Sequence, residues 1–211
     1  MPRRVMPNPL GERNSMRIIQ FLLAALAALP VIFVAQSGDR PFPARDSMTG
    51  APPLDALRQK WYSKHLSVMG ETTLPDGPNE AYRFLWLCAN PIIVRVTCDP
   101  RGCNLTARRL DGRGGYEPGK VVEHRDRKLS EQEVTNVRLL LSKAQFWSRQ
   151  PGDERIGLDG AQWILEGRRD GSYHLWDVWS AERSGPYADF RELWLELIRL
   201  SGLMIRTGEV Y

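Results

Sequence analysis

The spacing of apolar and polar residues changes several times along the chain, and these changes divide it into helices and strands. Between residues 54 and 67, apolar side chains recur at helical spacing among charged ones, which predicts a short amphipathic helix. From residue 82 the period falls to two, and segments 82–88 and 92–98 are typical of strands. One helix followed by strands is therefore expected in the first half of the chain.

A tight turn and two cysteines follow these strands. Residues 99–102 (DPRG) carry proline at the second and glycine at the fourth position of a type I turn, and residues 104–110 would form the returning strand. Cys98 and Cys103 flank the turn and would lie opposite each other, close enough for a cross-strand disulfide. That pairing is expected in an exported protein and leaves Cys88 as the odd thiol; three free thiols are the alternative.

The second half of the chain again shows both the helical spacing and the period of two. Residues 121–129 predict a strand charged on one face, and Ser130 with Glu133 forms a capping box for a helix that ends near residues 146–147. Strands are predicted at 161–167 and 173–179, around an Asp-Gly turn, and a helix from 184–186 (SGP) to a stop at Gly202. This order predicts one α+β domain, an antiparallel sheet of about five or six strands packed by two or three helices.

The N-terminal part has a different character. Residues 1–17 are a basic flank and 18–35 are uncharged and apolar. Residues 36–53 are rich in proline and glycine and predict a linker, and 54–211 form the predicted exported domain. The apolar run predicts a signal peptide or a signal-anchor helix, so a membrane contact through 18–35 is expected if it is not cleaved. Met16 is an alternative start of the protein. Either way, the C-terminal domain would lie outside the cytoplasmic membrane, in the periplasm or anchored to that membrane.

Charge argues against a nucleic-acid partner. The formal net charge is +4, but it falls to +1 without the basic N-terminal segment. Residues 95–128 hold nine basic and five acidic side chains. They are consistent with an anionic partner such as a lipid headgroup or a cell-wall polymer, or simply with solvated strand faces.

Two motifs invite chemical interpretations that their surroundings oppose. Residues 114–120 (GGYEPGK) resemble a phosphate-binding loop, but Val121 follows where Mg²⁺ coordination needs Ser or Thr, so no nucleotide is expected. His174, Asp177 and Ser180 resemble a hydrolytic triad, yet strand alternation directs His174 and Asp177 to opposite faces. Across the predicted hairpin, Glu166 or Arg168 could face His174. No catalytic residue, metal site or cofactor is predicted.

Four tryptophans accompany the last hairpin and helix. Trp163 and Trp194 fall on positions expected to face the core, whereas Trp176 and Trp179 alternate on their strand, so at least one would be outside or against another element. Exposed aromatics could line a sugar or peptide groove. Trp176 and Trp179, with Asp159 and Asp177, are the candidate surface residues, and replacing either aspartate with alanine should change stability little if it is exposed.

Five segments of the chain resemble a family of small bacterial proteins that are typically exported or membrane-tethered. The segments are YRFLWL (82–87), RRLDGRGGYEPGK (108–120), GLDGAQWILEG (157–167), YHLWDVWS (173–180) and FRELWLELIRLSGL (190–203). The resemblance implies a shared fold and an envelope location, and it brings no established activity.

The expected function is non-enzymatic. We expect an envelope protein whose domain binds a protein or cell-wall partner outside the cytoplasmic membrane. An immunity-type inhibitor of a toxin in the same compartment is the alternative, and a hydrolase is a third.

Overall fold

A six-stranded antiparallel sheet carries the fold. The computed structural model describes residues 1–2, 41–74, 80–150, 157 and 159–205. Its elements are, in chain order, α1 (Ala56–Val68), β1 (Glu80–Leu87), β2 (Ile92–Asp99), β3 (Gly102–Leu110), β4 (Val121–Lys128), α2 (Glu131–Lys143), β5 (Gln162–Arg169), β6 (Ser172–Trp179) and α3 (Ala188–Ser201). The predicted α+β class and element order are confirmed.

The predicted apolar helix over 18–35 lies outside the described residues. Within the described part of the chain, no helix is long and apolar enough to cross a membrane.

The strands lie in the order β4-β3-β2-β1-β5-β6, and each pairs antiparallel with its neighbours. The turn between β2 and β3 places Cys98 opposite Cys103, and the two sulfurs form a disulfide. This confirms the predicted cross-strand bridge, and Cys88 is buried and is not part of it. Strands β4 and β6 are the two edges of the sheet.

Helices α2 and α3 cover one face of the sheet, the inner face. Helix α2 begins with the predicted capping box, in which Ser130 and Glu133 bond each other's backbone N–H groups. Helix α3 ends at Gly202, whose φ of 66° is left-handed, so a glycine relieves strain there. Trp163 and Trp194 are fully buried between helix and sheet, as predicted.

The start of α3 differs from the prediction. The helix begins at Ala188, two residues after Pro186, and Tyr187 occupies the N-cap without a side-chain capping bond. Proline therefore lies in the preceding turn and not in the first turn of the helix.

Helix α1 and the segment before it cover the other face of the sheet, the outer face. Leu66 of α1 and Leu85 of β1 belong to the hydrophobic cluster there. Residues 41–53 lie within the stretch predicted to be a linker, yet Phe42 and Asp46 are buried and the Ser47 N–H donates to Tyr173 O of β6 (2.8 Å). This part of the stretch packs as part of the domain.

Candidate functional site

A buried carboxylate on the outer face binds three arginines from neighbouring strands. Glu71, in the segment after α1, has a fully buried side chain. It accepts hydrogen bonds from Arg95 (3.0 Å) and Arg108 (2.8 Å) and a longer one from Arg83 (3.5 Å). Strand alternation places these arginines on one side of β1, β2 and β3. The carboxylate therefore links three strands through their side chains.

Arg83 is the buried member of this group. Its side chain is completely buried, and it binds Glu166 through two nitrogens, with Nε–Oε1 at 2.8 Å and Nη2–Oε2 at 3.0 Å. It also donates to the carbonyls of Thr72 and Pro41. Burial acts to lower the pKa of Arg83, but the charges of Glu166 and Glu71 outweigh it and raise the pKa. Arg83 therefore ties the covering segment to the sheet as a permanent cation.

Arg95 and Arg108 have a different environment, because their side chains remain 28% and 20% exposed. They border an area of β2, β3 and β4 whose outward side chains are polar and half-buried or exposed. We call this area the open face; its residues are Arg95, Thr97, Asn104, Thr106, Arg108, His124, Asp126 and Lys128. These residues come from the 95–128 region whose basic excess was noted in the sequence.

The charges on the open face are mostly positive. Asp126 is its only acidic residue; the hydrogen bond from Thr106 lowers its pKa first, and the charges of His124 and Arg108 lower it further. His124 Nε2 lies 2.9 Å from the Asp126 carboxylate. Among the described residues, neither Arg95 nor Lys128 forms a hydrogen bond or an ion pair with Asp126. Taken as a surface, the face can donate many hydrogen bonds to an anion.

His174 lies on the inner face and cannot act as a general base in this arrangement. The indole N–H of Trp176 donates to its Nε2 (2.9 Å), so the Nδ1–H donates to Asp46 Oδ2 (2.8 Å). Burial acts to raise the pKa of Asp46, but the hydrogen bond from His174 and the N–H groups of Met48 and Thr49 outweigh it and lower the pKa. Both imidazole nitrogens are therefore bonded within the protein, and Nδ1 attaches Asp46 to the sheet.

The structure corrects the predicted neighbours of His174. Its partner across the hairpin is Gly167, whereas Glu166 faces Leu175 and Arg168 faces Tyr173. Gly167 is needed there because an added Cβ would lie 2.4 Å from the Phe146 ring. The prediction that His174 and Asp177 point to opposite faces agrees with their contacts, since His174 packs on Phe146 of the inner face.

Asp177 lies on the outer face and is buried, with 8% of its surface exposed. It accepts a hydrogen bond from the Tyr62 hydroxyl (2.8 Å) and another from the Gln162 amide, and it lies 3.4 Å from Arg58 Nε. Burial, followed by the charge of Asp177, raises the pKa of Tyr62. Asp177 thus connects α1 to β6 and does not belong to an exposed surface.

Alanine substitutions separate the two candidate aspartates. Asp177→Ala should lower the free energy of unfolding by about 2–3 kcal/mol, because it leaves the buried Tyr62 and Gln162 donors without their acceptor. Asp159→Ala, at an exposed position, should change it by less than about 0.5 kcal/mol. Urea unfolding of both variants measures the difference, and equal values for the two would contradict the bonding described for Asp177.

The two candidate tryptophans are not an exposed pair. Trp176 is fully buried and stacks on Phe190, with ring centroids 3.9 Å apart. Trp179 is half-buried and lies so close to Gly157 and Gly160 that a Cβ at either glycine would overlap its ring. Trp176 therefore cannot belong to an aromatic surface groove.

The glycine-rich stretch that resembles a phosphate loop is an architectural connection. The Gly114 N–H donates to Cys88 O (2.8 Å), and Gly114 O accepts from the Trp61 indole (2.5 Å). The stretch leads into the edge strand β4 and not into a helix. Its backbone groups at Gly114 are thus already bonded within the protein.

Glu71 and Tyr62 were missed as site residues by sequence reasoning. Glu71 stands alone among small polar residues after a predicted helix, and Tyr62 resembles any other residue of an amphipathic helix. No local pattern identifies either, because their partners lie far along the chain, 37 residues away for Glu71 with Arg108 and 115 for Tyr62 with Asp177.

No protein-family model and no curated protein matches the chain. The resemblance to a family of exported bacterial proteins therefore stays a prediction.

Proposed function

We propose that this is an exported, non-enzymatic binding protein of the cell envelope, and that its open face binds an anionic cell-wall polymer. The observation that carries the proposal is the joint anchoring of Arg95 and Arg108 on the buried carboxylate of Glu71. One carboxylate holds two partly exposed arginine side chains at the border of an exposed polar surface.

This anchoring favours binding because it lowers the conformational entropy that the arginines lose when a ligand arrives. A guanidinium has five N–H donors in a planar fork, which matches phosphate and carboxylate groups. Arg95 and Arg108 each use Nη1 on Glu71. Within the described part of the chain, their other nitrogens make no hydrogen bond that would compete with a ligand. Asn104, Thr97 and Thr106 add uncharged polar groups beside them.

Export is supported by two features of the chain. The disulfide between Cys98 and Cys103 is typical of proteins that fold in an oxidising compartment. The basic flank before the apolar run at 18–35 is typical of a segment that directs the following domain across the cytoplasmic membrane. Retention of that run would tether the domain to the membrane.

Binding of the full-length protein to poly(glycerol phosphate) tests the proposal, with neutral dextran as the reference polymer. Asn104→Glu and Lys128→Glu place negative charge on the open face at exposed positions and leave the contacts of Glu71 in place. We expect each to weaken binding by roughly tenfold at low salt and the wild-type affinity to fall as salt screens the charges.

Arg199→Ala is the matched control, since it removes an exposed positive charge on α3, away from the open face. Equal weakening by the control, or equal binding to dextran, would show that the open face is not the binding surface. A protein that fractionates wholly with the cytosol would contradict the envelope location.

A further inference from the structure

A buried arginine on α3 has no acidic partner among the described residues. Only 7% of the surface of Arg191 is exposed. Its Nη1 donates to Ala181 O (2.8 Å), and its guanidinium lies over the Trp163 ring, 5.4 Å from the centroid. Buried guanidinium groups are usually paired with carboxylates, because burying an unpaired charge is costly. Arg191 therefore carries a charge that the described residues do not neutralise.

A second cation accompanies it. Burial lowers the pKa of Arg191, and the charge of Arg183 lowers it further, so the two guanidinium groups repel each other. Arg183 is exposed and forms no ion pair within the described part of the chain. Neither guanidinium group has an ion pair among the described residues, so an incoming anion would relieve the repulsion between them.

Both arginines line a cavity of about 570 Å³ that is open to solvent along one side of α3. Two acidic side chains, Asp189 and Glu192, also line it, but Lys143 lies 3.3 Å from Asp189 and 2.5 Å from Glu192 and pairs with both. The remaining wall is formed by Ala188 and the half-buried Leu195. The cavity therefore has a cationic part and an apolar part.

The position of the cavity at the start of α3 adds to its positive potential. The N-terminal end of a helix carries a partial positive charge, which a capping side chain or an anion stabilises. Tyr187 at the N-cap makes no side-chain hydrogen bond to the helix. An oxyanion beside Arg183 and Arg191 would lie close to this uncapped first turn.

We propose that this cavity binds the oxyanion, a phosphate or a carboxylate, of a small amphiphilic ligand whose apolar portion lies against Ala188 and Leu195. Arg191 binds the anion from the buried side and Arg183 from the solvent side. The site lies among the helices that cover the inner face of the sheet, whereas the open face lies on the opposite side of the sheet.

Isothermal titration of the full-length protein with octyl phosphate, inorganic phosphate and octyl glucoside tests the three parts of this proposal. We expect octyl phosphate to bind about tenfold or more tightly than inorganic phosphate, since its chain buries apolar surface, and octyl glucoside not to bind measurably. If phosphate and octyl phosphate bind equally well, the apolar part of the proposal is wrong. If neither binds, the whole proposal is wrong.

Variants then locate the site. Arg183→Ala, at an exposed position, should weaken octyl phosphate binding by roughly tenfold, and Arg191→Met should abolish it. Glu192→Gln should strengthen binding, because it removes a negative charge from the wall and leaves Lys143 freer to meet the anion. Arg199→Ala on the same helix and Lys128→Glu on the open face should have no effect.

Misfolding could explain weaker binding in the arginine variants, but it could not explain stronger binding in Glu192→Gln. Unchanged binding in both Arg183→Ala and Glu192→Gln would place the anion elsewhere and overturn the assignment. Different ligands test the two proposals. A protein that binds octyl phosphate but not poly(glycerol phosphate) would contradict the proposal for the open face alone, and the opposite result would contradict the proposal for the cavity alone.

Discussion

Replacing Arg83 with methionine should lower the free energy of unfolding by about 3–5 kcal/mol, the cost of leaving a buried charge without its partner. Methionine keeps most of the side-chain volume, so the loss comes from charge and hydrogen bonds and not from a cavity. Glu166 would lose both guanidinium bonds, and the carbonyls of Thr72 and Pro41 would lose a donor each.

The expected loss of stability extends beyond β1, the strand that carries Arg83. Since Arg83 binds carbonyls on either side of α1, the variant should also increase hydrogen exchange in residues 41–74 more than in α2 or α3. Urea unfolding measures the stability, and hydrogen exchange followed by mass spectrometry measures the local opening.

Two controls make this prediction specific. Arg138→Met removes an arginine that binds Glu80 through two nitrogens but is 53% exposed, and it should cost no more than about 1 kcal/mol. The double variant Arg83→Met with Glu166→Leu should recover part of the loss, because an apolar pair replaces a buried charge pair. An Arg83→Met variant as stable as Arg138→Met would contradict the buried ion pair.

Adjacent glycines in the loop before β4 should respond very differently to alanine. Gly114→Ala should cost about 3 kcal/mol, because its Cβ would lie 2.5 Å from the backbone carbon of Leu87, which cannot move without disturbing β1. Gly115→Ala should cost little, since no atom lies within 4 Å of the added Cβ.

Thermal unfolding of the two variants measures the difference, and each serves as the control for the other. Both carry the same added methyl group in the same loop, so loop entropy and composition are matched. Gly115→Ala should unfold within a few degrees of the wild type, and Gly114→Ala about 6–12 °C below it. Equal melting temperatures would mean that the glycine at 114 is not required for the close approach to Leu87.

Gly114 also belongs to the stretch that resembles a phosphate loop. Packing against Leu87 accounts for the glycine at 114, one of the residues by which the stretch 114–120 resembles a phosphate loop. The same reasoning applies to Gly167, where the Phe146 ring occupies the space that a side chain would fill. At both positions the close approach of another part of the protein accounts for the glycine.

The sequence alone predicted the features that depend on neighbours along the chain. The capping box of Ser130 and Glu133, the left-handed end at Gly202 and the disulfide across the turn at 99–102 all involve residues within a few positions of each other. Period and turn signals likewise predicted the order of helices and strands. Such signals are local because backbone hydrogen bonds and turn geometry are local.

The tertiary structure alone decided which polar residues are buried and which remain on the surface. Asp46 bonds His174 across 128 residues, and Glu71 bonds Arg108 across 37. A carboxylate in a loop looks the same in the sequence whether it faces water or three arginines. Its role depends on which strands neighbour each other and which segment covers them, and that is set by the packing of distant apolar residues on both faces of the sheet.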